Sequence, residues 1–366
     1  MTIPETMRAF VLKGHGEFDQ LQYHEDWPVP VPKATEVLIK VHACGCNNTD
    51  INTRTAWYSK GVTENTTGGA FENADDDDAA WGGSPISFPR IQGADVAGTV
   101  VAVGASADPS IIGKRVMIET WFRHWDHPDD DTQTGYFGSE CDGGFAEYTV
   151  ADYRHVQTVD SDQSHVQIAS FATAYITAEN MLSKAAVKEG DTVLITGASG
   201  GVGSALIQLA NRRGATTVAL CSESKHEDLQ VLSPAVTLER EPNNLKTQLQ
   251  HATGRSEVDV VADVVGGSYW GTLIDSLARG GRYTCAGAIA GPIVEFDLRT
   301  FYLRDLVFTG ATVAPPKVFA DIVRYIERGE VKPVVAATFD LKNLHDAQKM
   351  FIAKGYIGNI VITIDP

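Results

Sequence analysis

Thr192-Val-Leu-Ile-Thr-Gly-Ala-Ser-Gly-Gly-Val-Gly-Ser-Ala-Leu-Ile-Gln-Leu-Ala-Asn211 is the stretch that decides the fold. Thr192 to Thr196 reads as a short buried strand. Apolar residues at helical spacing from Gly203 to Arg213 predict an amphipathic helix directly after it. Gly197, Gly200, Gly201 and Gly203 fall between the two. In such a turn Gly200 lets the backbone approach a pyrophosphate, and Gly203 lets helix and strand pack closely. The helix N-terminus supplies free N–H groups and partial positive charge for phosphates. The first glycine of the common G-x-G-x-x-G pattern is Ala198 here, a mild departure.

The next strand indicates which dinucleotide. Thr217 to Cys221 is strand-like and ends at Cys221-Ser222, where an NAD site usually has an Asp or Glu for the ribose hydroxyls. Glu223 lies beyond the strand end. Ser222 can donate a hydrogen bond and Lys225 can supply positive charge, so NADP(H) is expected. Val258 to Ala262, Gly281 to Cys285 and Leu306 to Thr309 are further strand candidates, separated by helical segments. Ala169 to Ala186 has helical spacing. Strand alternating with helix means a doubly wound parallel sheet.

The flanks differ. Residues 7–58 read as short strands and turns, with Val37 to Val41 the clearest strand. Residues 59–89 are rich in Gly, Asn, Thr and Asp and include Asp75-Asp76-Asp77-Asp78, four adjacent carboxylates that predict an exposed loop. Asp95 to Gly104 is strand-like again, and a second polar loop covers about 124–136, with Asp129-Asp130-Asp131. Gly143-Gly-Phe-Ala-Glu-Tyr148 leads into another strand. From about 314 the chain returns to one helix, Val318 to Arg328, and short strands ending at Ile364. The expected class is α/β, a β-rich domain interrupted by a doubly wound nucleotide-binding domain. The boundaries are read as 1–159, 160–313 and 314–366.

The 366 residues suffice for more than one compact domain. A formal net charge of -17 repels phosphate backbones and anionic lipid, so nucleic-acid and membrane-surface partners are not expected. Five scattered cysteines are no disulfide framework. The N-terminus has no apolar leader, and no run approaches the roughly 20 apolar residues of a membrane helix. A cytoplasmic protein with a small-molecule substrate is expected.

The residues resemble one superfamily. The matching stretches include Ala43-Cys-Gly-Cys-Asn-Asn-Thr-Asp50, Gln92-Gly-Ala-Asp-Val-Ala-Gly98, Gly113-Lys-Arg-Val116, Asp142-Gly-Gly-Phe-Ala-Glu-Tyr148, Thr177-Ala178, Asp259 to Gly267 and Gly358-Asn-Ile-Val361. Together with the glycine turn they are similar to medium-chain dehydrogenase/reductases, and within them to the zinc-free quinone oxidoreductase-like branch. That resemblance implies a GroES-like catalytic domain around a Rossmann domain, and a homodimer joined through the nucleotide-domain sheet edge. It implies NADPH contacts at Thr177, Ser199, Gly200, Gly201, Val202, Ser222, Lys225, Val265, Gly287 and Asn359.

Zinc relatives hold their metal with a Cys before Thr-Asp, a His-Glu pair and a later Cys or Asp. Asn47, Ala94 with Asp95, and Thr173 stand at or near those places. An amide, a methyl group and a hydroxyl do not make a zinc site, so no metal is expected. Of the four cysteines of the family's structural zinc lobe, only Cys141 is present. Cys44 with Cys46, and His124 with His127, lack convincing partner ligands.

Without a Lewis acid, hydride transfer needs an electrophilic acceptor such as a quinone or an α,β-unsaturated carbonyl. The resemblance puts Asn47 and Tyr58 beside that acceptor, with Asn52 where a second Tyr would stand. It makes Asp50 a site residue, with Arg54 as its ion-pair partner. The 59–89 loop, directly after Tyr58, is positioned to cap the cleft. Two other readings remain open: a zinc-type alcohol dehydrogenase or carbonyl reductase, and a non-catalytic NADPH-binding sensor or structural protein.

Overall fold

Val193, Leu194 and Ile195 are fully buried, as a central parallel strand covered on both faces requires. The computed structural model describes residues 2–128 and 130–364; Asp129 of the second acidic loop and Met1 lie outside the described residues. Thr192–Ile195 sits third in a six-stranded sheet, in the order Val236–Leu238, Thr216–Leu220, Thr192–Ile195, Val258–Asp263, Leu277–Cys285, Val307–Gly310. Every neighbouring pair in it is parallel. The chain order reverses between Thr192–Ile195 and Val258–Asp263. A crevice opens at the carboxyl ends of the strands at such a switch point. The helix after the glycine turn is Gly201–Arg212, and it packs on helix Ala172–Lys184.

The second large sheet has the order Val335–Asp340, Asn359–Thr363, Glu36–Gly45, Asp95–Val103, Arg115–Ile118, Val156–Thr158, with Tyr148–Asp152 also on Glu36–Gly45. Its pairs are antiparallel except the outer Val335–Asp340/Asn359–Thr363 pair. It is built from both ends of the chain, because Asn359–Thr363 inserts beside Glu36–Gly45. The insertion carries Gly358 to the glycine turn, where its N–H donates to the Ser199 carbonyl at 2.9 Å.

Three expectations are corrected here. The tail holds a second helix, Leu344–Ala353, whose buried Leu344, Ala347, Gln348 and Phe351 follow helical spacing. The sheet also has an edge strand, Val236–Leu238, too short and too half-buried to stand out in sequence. Residues 59–89 form no helix or strand, but they are only partly exposed. Asp75, Asp76 and Asp77 face solvent, while Val62, Thr66, Ala79 and Ala80 are buried.

Candidate active site

A cleft of about 580 Å³ runs between the two large sheets, from the glycine turn to the start of helix Asn48–Thr55. All ten residues expected at the cofactor border it. Gly200 is the N-cap of helix Gly201–Arg212, and no side chain caps that helix. Its first N–H groups are therefore available to an anion. A Cβ built on Gly200 meets only the Gly197 carbonyl, at 3.4 Å, so the turn is open on the cleft side. A dinucleotide pyrophosphate fits these donors.

At one end lie three cations. Lys225 Nζ donates to Ser199 Oγ at 3.3 Å and to the Lys354 carbonyl at 2.6 Å. Burial lowers its pKa, with Arg240 adding repulsion. Lys354 Nζ donates to Asn48 Oδ1 at 2.9 Å, and burial, then Lys225, brings it down to about 7. An anion placed among Lys225, Arg240 and Lys354 would relieve that repulsion. Sequence reasoning found Lys225 and missed the other two. Arg240 follows the unrecognised edge strand. Lys354 precedes the quoted Gly358 motif, and only helix Leu344–Ala353 brings it to the cleft.

The other end is lined by uncharged side chains, with the Lys354 ammonium reaching its border at Asn48. Asn47 is 8% exposed and sits at the N-cap of helix Asn48–Thr55. Its Nδ2 is buried on the Asp95 side without a hydrogen bond of ordinary geometry. Tyr58 borders the cleft, donates to Thr49 Oγ1 at 3.3 Å, and is pushed up to about 12 by burial. Asn52 and Thr173 border it as well. Trp57 and the tilted pair Trp81 and Trp121, with ring centroids 4.7 Å apart, form apolar wall.

Asp50 does not border the cleft. Its carboxylate accepts from Asn47 N at 2.7 Å and Gly93 N at 3.2 Å, and burial pushes it up to about 7. It therefore anchors the turn that carries Asn47. The expected Asp50–Arg54 ion pair does not form. Asp50 lies at the third residue of its helix and folds back over the N-terminus. Arg54, one turn on, reaches away to the Gly16 carbonyl at 2.9 Å and Gln348 Oε1 at 3.1 Å, over the Phe18 ring. His124 and His127 share only a backbone turn, and Cys44 and Cys46 are buried in the β-rich core.

The long loop reaches the cleft. Asn65, Thr66 and Thr67 border it, and Thr66 N donates to the Ile289 carbonyl at 3.2 Å, tying the loop to the segment after strand Leu277–Cys285. Ser59 Oγ accepts from Asp75 N, and Asp78 accepts from Lys60 N, so the acidic run is partly used to fold the loop.

Comparisons with known proteins give the chain its family. An alcohol dehydrogenase GroES-like domain matches residues 33–161, and a zinc-binding dehydrogenase domain matches 201–328. A solved structure from Sinorhizobium meliloti 1021, provisionally assigned as an alcohol dehydrogenase, is 40% identical, with 99% of this chain and 98% of that one covered at a TM-score of 0.89. The chain belongs to the medium-chain dehydrogenase/reductase superfamily, in its quinone oxidoreductase-like branch. Human quinone oxidoreductase is 26% identical over 98% of both chains. Acryloyl-coenzyme A reductase of Metallosphaera sedula is 25% identical, over 98% of this chain and 100% of that one. As a medium-chain dehydrogenase/reductase, this protein is an oxidoreductase that uses a nicotinamide cofactor.

Proposed function

We propose that this protein uses NADPH to reduce a quinone or an α,β-unsaturated carbonyl without a catalytic metal. The observation that carries the reading is the donor set around Asp95. Asn47, Ala94 and Thr173 offer an amide, a methyl and a hydroxyl, and the Asp95 carboxylate is already engaged by Thr173 N at 2.8 Å and Thr173 Oγ1 at 2.5 Å. Such groups orient and donate hydrogen bonds but do not generate an alkoxide. NADPH, when bound, supplies hydride. Gly200, Gly201 and Val202 would hold its pyrophosphate, and Thr177, Val265, Gly287 and Asn359 would enclose its nicotinamide half. Ser222 and Lys225, with Arg240 and Lys354, would hold its 2′-phosphate. The uncharged end, with Asn47 and Tyr58, would receive the acceptor carbonyl, and Asp50 would keep Asn47 in place. The acting unit is 1–159 with 314–366 as catalytic domain, around 160–313.

NADPH consumption by chelator-treated protein tests the reading, against quinones, alkenals, aldehydes and alcohol/NADP⁺ pairs, with NADH as control. Turnover of quinone or alkenal, undiminished by the chelator, is the expected result. Activity on alcohols or aldehydes alone, lost on chelation, would establish instead the zinc-type alcohol dehydrogenase reading. Tight NADPH binding without turnover would mean a sensor or structural protein.

The proposal includes a homodimer. Val307–Gly310 is an edge strand, and Ile293, Val294, Leu298, Tyr302 and Leu303 near it are exposed. An open parallel edge beside an apolar patch invites pairing with a second copy. Light scattering should give twice the chain mass, and the pair Leu298→Asp and Tyr302→Asp, which puts charge on the exposed apolar residues, should give the monomer. A monomeric parent protein would end this part of the proposal. Five free cysteines suit a reducing cytoplasm. Among the described residues no helix is long and apolar enough to cross a membrane.

A further inference from the structure

Thr173 stands where it can do more than fill a vacated ligand position. It lies on helix Ala172–Lys184 four residues before Thr177, a little over one turn, so both hydroxyl-bearing side chains share the cleft face, about 6 Å apart along the axis. Thr177 is on the cofactor side, and Asn47 and Tyr58 are on the acceptor side. Thr173 therefore borders the place where the two reactants meet.

Behind Thr173 is a closed hydrogen-bond chain. Its Oγ1 lies 2.5 Å from Asp95 Oδ1 and 2.9 Å from the Tyr136 hydroxyl. Both partners are buried, and neither borders the cleft. A threonine hydroxyl has one donor and two acceptor sites. While Asp95 is a carboxylate, Thr173 gives it its only proton. Once Asp95 carries a proton, both Asp95 and Tyr136 donate to Oγ1, and the Thr173 proton has nowhere to point but the cleft.

We propose that Thr173 delivers the proton that completes reduction of the acceptor, with Asp95 as its proton source and Tyr136 as the positioning residue that holds the hydroxyl. The inference rests on the metal-free reduction proposed above. Hydride arrives from the cofactor, and the electron pair it displaces collects on the acceptor oxygen. The Thr173 O–H bond breaks as an O–H bond forms at that oxygen. The Asp95 proton moves to Thr173 Oγ1, and the carboxylate left behind regains a proton from water when product leaves. Tyr136 is not the source, because burial and the nearby Asp95 and Asp50 hold its proton firmly. The titratable groups that face Asp95 are Asp50, Cys44, Cys46 and Tyr136. Burial pushes Asp95 up to about 6 and Asp50 up to about 7, so the pair holds protons into the neutral range.

The test compares the parent protein with Thr173→Val, Thr173→Ser and Asp95→Asn, on the quinone or alkenal it turns over best. Valine keeps the shape and removes the hydroxyl. Expected is a kcat about 100-fold lower for Thr173→Val, with NADPH affinity unchanged by fluorescence titration, and recovery in Thr173→Ser. The parent kcat should fall as pH rises through the Asp50–Asp95 titration, because the proton donor is lost. Asp95→Asn should be slow and lack that limb. A Thr173→Val protein that keeps its kcat, or an Asp95→Asn protein that keeps the pH limb, overturns the relay and leaves metal-free reduction standing. A parent protein that binds NADPH and reduces neither class overturns both.

Discussion

Gly203→Ala is expected to weaken NADPH binding by at least about 100-fold. A Cβ at this position would lie 2.2 Å from the Gly197 carbonyl oxygen and 2.6 Å from Ala198 Cα. Both are backbone atoms at the end of the central strand, so neither can rotate out of the way. The helix is held by packing on Ala172–Lys184 and the strand by neighbours on both sides. The added methyl must therefore open the turn between them. Opening it moves the helix N–H groups away from a pyrophosphate, and each hydrogen bond to a charged group contributes about 1.5–3 kcal/mol. Losing two such bonds gives the stated effect, since about 1.4 kcal/mol is tenfold in affinity. Fluorescence titration with NADPH measures it, and a thermal melt shows how much fold stability is lost as well. Gly271→Ala is the control: a Cβ there meets nothing within 4 Å, and binding should be unchanged. If Gly203→Ala binds NADPH like the parent, the glycine turn is not the pyrophosphate site.

Lys225→Glu is expected to lower kcat/KM for NADPH about 1000-fold and to leave NADH nearly unaffected. The Lys225 ammonium touches Ser199 Oγ and faces Arg240 and Lys354, so it belongs to a cationic corner. Removing it loses one charge-assisted hydrogen bond, and a carboxylate in its place adds like-charge repulsion of several kcal/mol against a 2′-phosphate. NADH has no such phosphate and should not register the change. The ratio of the two cofactors in steady-state kinetics is the measurement. An unchanged ratio would mean that the corner does not hold the 2′-phosphate, and the missing acid after Thr216–Leu220 would then have to be read differently.

Much of the fold was legible because its signals are local. Thr192 to Gly203 shows strand, turn and helix in one short stretch, and the strands after it repeat the alternation. Boundaries moved by a few residues, as with the helix that begins at Gly201 instead of Gly203. Val236–Leu238 and Leu344–Ala353 were missed for a different reason. The first has three half-buried residues, and its strand character comes from pairing with Thr216–Leu220. The second is held by burial of Leu344 and Phe351 against parts of the chain far away in sequence.

The site divides in the same way. The glycine turn, the lack of an acid at Cys221-Ser222 and the amide, methyl and hydroxyl at Asn47, Ala94 and Thr173 could be read from the sequence alone, because each depends only on which side chain occupies a place in a local motif. Where Asp50 and Arg54 turn, the meeting of Lys354 and Arg240 with Lys225, and the place of Thr173 between Asp95, Tyr136 and the cleft follow from the folded chain. Those contacts join residues tens to hundreds of positions apart. A buried carboxylate or cation takes whatever partners the packed chain brings within hydrogen-bond reach, and spacing along the sequence carries no record of that choice.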